Sequence, residues 1–232
     1  QEPMYNAFRE MENVSLEIFD YYGLYEETKN ANLVNQKLLD VAVAFQPDLV
    51  HMQLQMTRVI KLDTLRKLRR AMHQKVIITN WSGDVRDKIQ QEMLELASGV
   101  DYTLISNTGQ LQLYKNAGCL NVKYWQIGYD DTVFYPQFKT NFVSDLVVAA
   151  NAYPNSTFRG ASSRVNIITK LKSKLGDKFQ VYGGGYIGNI SSGGCHGSDL
   201  NNAYNNSRCI LNMSNYNDID DYFSDRLLTC LG

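Results

Sequence analysis

Apolar positions along the chain follow two alternating rhythms. Short aliphatic or β-branched runs at 16–20, 49–53, 76–80, 102–106 and 122–127 predict strands. Between them, apolar residues recur at spacings of three and four, the period of a helix that buries one face. One stripe is Val34, Leu38, Ala42 and Phe45; the next is Leu62, Leu65, Leu68 and Met72; a third is Ile89, Met93, Leu96 and Ala97. Strands joined by helices of this length run parallel, because the chain must cross the sheet to return. The first half thus predicts a doubly wound α/β sheet, preceded by a short helix at 4–11.

Around Tyr135-Pro136 the pattern pauses, and a polar stretch continues to Asn141. The alternation then restarts with a strand at 146–150, a helical stripe of Val165, Ile168, Leu171 and Leu175, and a strand at 179–182. A helix at 200–206, a strand at 209–213 and a helix opening at Ser224 follow. The economical description is two α/β parallel-sheet domains in tandem, residues 1–137 and 138–232. The first opens on a helix where a strand is expected, and the second holds three strands before the sequence stops. Three strands leave an unpaired edge and a half-covered core. The expectation is therefore a first domain lacking its first strand, an incomplete second domain, and a longer parent protein; the alternative is a compact small second domain with an unusual edge.

Composition narrows the function classes. With 44% hydrophobic and 20% charged residues the chain is globular. A net charge of -1 argues against a nucleic-acid partner held on a basic face. No apolar run reaches the ~20 residues that span a bilayer, and no signal peptide opens the sequence. The four cysteines, Cys119, Cys195, Cys209 and Cys230, form no CxxC pair. That spacing suggests reduced thiols in a cytoplasmic protein without a metal site.

Several segments resemble one enzyme group. Pro47-Asp48-Leu49-Val50-His51 is similar to the "PDVVH" strand of family-four-like glycosyltransferases. Residues 145–151 with Tyr153-Pro154, then 179–183, then Tyr222-Phe223-Ser224-Asp225-Arg226-Leu227 are similar to the "FVGN-YP", "VYG" and "Y-[ST]-[DE]-R-L" segments of spore-maturation-protein-like (CgeB-like) glycosyltransferases. The likeness covers most of the second half and scattered spots of the first. It implies a GT-B architecture, two Rossmann-like domains facing each other across a cleft, and transfer of a sugar from a nucleotide-diphosphate donor to a carbohydrate or other hydroxyl acceptor. It implies no metal and no cofactor beyond that co-substrate. One departure stands out: the family's ribose-binding Glu, three residues after the Arg, is replaced by Thr229.

The chemistry at these positions is concrete. A departing diphosphate needs its charge stabilised, and a guanidinium does so with two forked hydrogen bonds. Ser224 is a plausible N-cap for the last helix, placing Asp225 and Arg226 in its first turn, where amides also favour an anion. A surface pairing of Arg226 with Asp225 or Asp221 is the structural alternative. Arg159 and Arg164 follow the loop after Asn151, and the resemblance implies that a basic residue there meets the diphosphate from the other side. Gly183 and Gly185 let the backbone approach a donor base, or simply turn the chain. In the first domain, His51, Gln53, Gln55, Trp81 and Asp84 lie beyond strand carboxyl ends, where ligands of such sheets bind. Trp81 offers a flat face to a sugar, Gln53 hydrogen bonds to acceptor hydroxyls, and Asp84 or His51 a base; a cap for Asp84 and a filled strand end for His51 are the structural alternatives. Two rivals remain from other classes: a non-catalytic two-lobed sugar or nucleotide binder, and a nucleotide-sugar epimerase.

Overall fold

A computed structural model of the chain describes residues 2–54, 58–153 and 158–231, the side chains of residues 2 and 3 excepted. By its contacts the chain forms two compact units. One comprises Glu12–Ile127 with Ile219–Asp221. The other comprises the N-terminal segment through Met11, Gly128–Asp218 and the residues from Tyr222 on. The pause at Tyr135-Pro136 thus falls inside the second of these units, and the N-terminal helix α1 (Glu2–Glu10) belongs to it too, its Asn6 side chain donating to Asp130 at 2.8 Å.

The first unit contains α2 (Tyr21–Thr28), α3 (Ala31–Phe45), β1 (Leu49–Met52), α4 (Leu62–Ala71), β2 (Ile77–Ser82), α5 (Gln91–Ala97), β3 (Tyr102–Ile105), α6 (Leu111–Asn116) and β4 (Val122–Tyr124). The four strands are parallel and lie in the order β1-β2-β3-β4. The run at 16–20 is not a strand. It is irregular, and it ends in Asp20, whose carboxylate accepts from the Gly23 amide and caps α2. A cap fixes the local chain more strongly than β-branched content that finds no partner strand.

That strand order differs from the doubly wound expectation. The connections all step in one direction, and right-handed crossovers then lay their helices on one face. Val50, Met52, Ile78 and Ile105 point to that side and join two buried clusters with α3, α4, α5 and α6. On the opposite face the amino-terminal half is open: Leu49 and Ile77, opposite each other in register, and Tyr102, opposite Thr79, are each more than two-fifths exposed.

The second unit adds β5 (Ser144–Ala149), α7 (Ala161–Leu175), a single 3-10 turn (Gly176–Lys178), β6 (Phe179–Tyr182), α8 (Gly197–Asn205), β7 (Ser207–Ile210) and α9 (Asp225–Leu231). Its parallel sheet runs β6-β5-β7, so the chain reverses direction after β6. Both faces are covered. Leu146, Val148, Phe179 and Val181 pack with Ile168 and Leu171 of α7; Val147, Ala149 and Ile210 pack with Leu200 and Tyr204 of α8 and Cys230 of α9. Fully burying an aliphatic side chain such as Ile168 contributes about 1.5–3 kcal/mol. The molecule is therefore an α/β protein with one four-stranded and one three-stranded parallel sheet. No helix among the described residues is long and apolar enough to cross a membrane.

Candidate functional site

In an open parallel sheet, ligands bind beyond the strand carboxyl ends where neighbouring connections leave in opposite directions. The second sheet has such a point between β5 and β7. After β5 the chain turns to α7 on one face; after β7 it reaches α9, whose Cys230 packs on the other. The loops from Ala150 and from Leu211 diverge there.

Arg164, in the first turn of α7, bridges the two loops. Its guanidinium donates to the carbonyl oxygens of Asn151, after β5, and of Met213, after β7. The residue is 1% exposed, and its Nε–H has no partner among the described residues. Among the described residues no carboxylate pairs with it, and the charge that bears on it is a second cation, Arg226. Burial first, and then the Arg226 charge, lower the Arg164 pKa from its ordinary value. A buried cation facing another cation is costly unless an anion completes it. Arg226, in the first turn of α9, also buries an Nε–H that has no partner among the described residues, and its guanidinium lies 3.9 Å from the Asp225 carboxylate. In the loop after β7 the side-chain oxygen of Asn215 is likewise buried and unpartnered.

Glycines allow this crowding. Gly183 ends β6 at φ 132°, and a Cβ there would lie 2.2 Å from the Ala150 carbonyl oxygen. Gly160 sits against the Asn215 backbone, 2.6 Å from a hypothetical Cβ, and donates its N–H to that carbonyl at 2.8 Å. Asn151 ties the sheet end together: its side-chain oxygen accepts from the Gly184 amide at 2.8 Å and its amide nitrogen donates to Tyr153 at 3.3 Å.

Other expected donor residues stand differently. Arg159 pairs with Asp218 at 2.5 Å and lies over the Tyr216 ring, so its charge is already matched. The Ser224 hydroxyl donates to the Asn212 side chain at 3.4 Å, its carbonyl accepts the Leu227 amide at 2.9 Å, and the residue is 4% exposed. The carboxylate of Asp225 instead accepts its neighbour's amide, from Arg226, at 2.9 Å. Asp221, the alternative partner for Arg226, accepts from the Thr108 hydroxyl. Residues 154–157 of the expected phosphate loop, and Gln55, lie outside the described residues.

In the first unit, His51 is half-buried on β1, with Nδ1 2.8 Å from the Thr79 hydroxyl, and burial lowers its pKa, keeping the imidazole neutral near pH 7. Gln53 directly follows the strand and is half-buried. Trp81 departs from the expectation: at 8% exposure it has no open face, its ring folding back onto Gly83 and its indole N–H donating to the Trp125 carbonyl at 3.1 Å. The exposed indole is Trp125, whose ring meets that of His51 edge-on at 5.2 Å. It follows β4, across the sheet from β1, so sequence spacing gives no hint of the pairing. The Asp84 carboxylate is solvent-exposed, 3.9 Å from Arg86.

The chain matches no family model, and no curated protein is detectably similar to it.

Proposed function

We propose that this chain is the catalytic part of a GT-B-type glycosyltransferase that moves a sugar from a nucleotide-diphosphate donor to a hydroxyl acceptor. One observation carries the reading. Among the described residues Arg164 is a buried cation without a carboxylate partner, beside a second guanidinium with a buried, unpartnered Nε–H, at the divergence of the loops after β5 and β7. A diphosphate supplies the missing negative charge in the fork geometry that guanidinium groups favour. The motif resemblance around 145–151, 179–183 and 222–227 points to the same loops.

In this reaction the acceptor oxygen bonds to the anomeric carbon as the bond from that carbon to the β-phosphate oxygen breaks. The electron pair leaves with the nucleoside diphosphate, whose growing charge Arg164 and Arg226 stabilise. The acceptor proton goes to a base, for which His51, neutral at pH 7, and Asp84 are the candidates.

Calorimetry with uridine diphosphate and guanosine diphosphate tests the binding step. Wild-type protein gives a saturable isotherm with at least one of them, and Arg226→Gln weakens it tenfold or more, the worth of one charge-assisted hydrogen bond. A panel of nucleotide sugars with mass detection of released diphosphate and product tests transfer. Absence of diphosphate affinity in the wild-type chain refutes the reading; conversion of the donor sugar without an acceptor would favour an epimerase.

A further inference from the structure

Tyr153 adds a component to this site that the charge argument does not use. It lies two residues past Asn151, with φ 49°, in the left-handed region that a bulky non-glycine side chain rarely adopts. Backbone strain of this kind, about 1–3 kcal/mol, persists where the surroundings over-determine it, and such places are often functional. Here the ring is fixed by three neighbours. The Arg164 guanidinium lies over it at 5.6 Å from the centroid, Phe158 meets it edge-on at 5.4 Å, and Asn151 donates to its hydroxyl. Even so, Tyr153 remains 41% exposed and Phe158 38% exposed. An aromatic corner is thus held rigid and left open beside the buried cation.

We propose that Tyr153 is the stacking platform for the donor's planar base, so that the site selects nucleoside diphosphates over base-free diphosphate. This rests on the donor reading above. The Arg164 guanidinium covers one face of the ring, 5.6 Å from its centroid, which leaves the opposite face for a base. A sugar ring fits this corner less well. Its hydroxyls need several polar partners, and both ends of the Asn151 side chain are already engaged, with Gly184 and Tyr153. Stacking on an aromatic side chain tolerates any base, so Tyr153 accounts for base-dependent affinity without choosing among bases.

The test is calorimetry on the full chain with uridine diphosphate, guanosine diphosphate and inorganic pyrophosphate. Two variants separate ring from backbone: Tyr153→Trp keeps an aromatic face, and Tyr153→Asn removes it while tolerating left-handed φ. Thermal unfolding checks that both fold. Wild type and Tyr153→Trp bind each nucleotide that the wild type takes up at least tenfold more tightly than pyrophosphate. Tyr153→Asn loses tenfold or more for each such nucleotide and less than twofold for pyrophosphate. Equal wild-type affinity for pyrophosphate and nucleotide, or a nucleotide preference unchanged in Tyr153→Asn, overturns the role of Tyr153 while leaving the diphosphate site intact. Where the wild type binds both nucleotides, a preference lost for one alone overturns it too, since stacking is blind to base identity. If the wild-type chain binds none of the three ligands, the donor reading and this inference fall together.

Discussion

If Arg226 is kept for an anion and not for the fold, removing its charge has opposite effects with and without ligand. Arg226→Gln takes a like charge away from Arg164, whose pKa its presence lowers. Two neighbouring unit charges about 4–8 Å apart repel by roughly 2–4 kcal/mol at an effective dielectric of 20. The Arg226 side chain is 33% exposed, and solvent screening reduces that figure to about 1 kcal/mol. Among the described residues the carboxylate paired with Arg226 is that of Asp225, at 3.9 Å, so little attraction is lost in exchange. Ligand-free Arg226→Gln is therefore expected to unfold about 2–4 °C above wild type, the shift that ~1 kcal/mol produces in a chain of this size. With uridine diphosphate at ~100 times its wild-type dissociation constant, wild type gains about 2.7 kcal/mol, and the order inverts because the variant, binding tenfold or more weakly, gains about 1.4 kcal/mol or less. Differential scanning calorimetry with and without nucleotide reads both signs. A ligand-free variant melting several degrees below wild type would show that Arg226 is a structural cation, and the surplus-charge argument would be wrong.

Three further outcomes follow from other contacts. Gly183→Ala places a methyl 2.2 Å from the Ala150 carbonyl at φ 132°, and a loss of about 3 kcal/mol or more in urea unfolding is expected from combined clash and backbone strain; a loss under 1 kcal/mol would contradict the close approach. His51 has a folded pKa below its unfolded value of 6.5, so its protonation favours the unfolded chain. Its contribution to stability is complete above pH 6.5 and declines as pH falls from there toward the folded pKa. Wild type should lose more stability than His51→Asn between pH 7.5 and 5.5, and parallel curves would count against a buried neutral imidazole. In a transfer assay, His51→Gln is expected to lower kcat by about 10²–10⁴, the span of general-base catalysis, whereas exposed Asp84→Asn stays within threefold; the reverse ranking would move the base to Asp84.

Where hydrophobic period and chain connectivity agreed, the sequence was readable. The strands from 49 to 124 appear within a few residues of their periodic runs, and Phe179–Tyr182 has the expected bounds. The helix Tyr21–Thr28 escaped notice because Gly23 interrupts its pattern and its signal is the single cap Asp20. Leu111–Asn116 is too short, at six residues, to show a full period. Among site residues, Arg164 was visible as a cation after a strand, but its burial depends on two carbonyls 62 positions apart, at Asn151 and Met213. The matched charge of Arg159 likewise depends on Asp218, which local spacing does not bring near. Trp81 failed as a sugar platform because Gly83, two residues on, gives its ring a place to fold inward.

Strand order explains why the second sheet, and not the first, gathers the cations. With β1-β2-β3-β4 in sequence, successive loops leave the sheet in the same direction and open no crevice between neighbouring connections. The order β6-β5-β7 sends neighbouring loops apart, and the backbone carbonyls they leave need donors. A neutral donor at position 164 would satisfy Asn151 and Met213 without stored charge. Arg164 satisfies them and retains an unspent Nε–H and a full positive charge. Arg164→Gln separates these roles: it retains a donor for the carbonyls, so the fold should persist, while diphosphate affinity should fall at least as far as in Arg226→Gln. A variant that folds and still binds uridine diphosphate with wild-type affinity would assign the arginine to the loops alone.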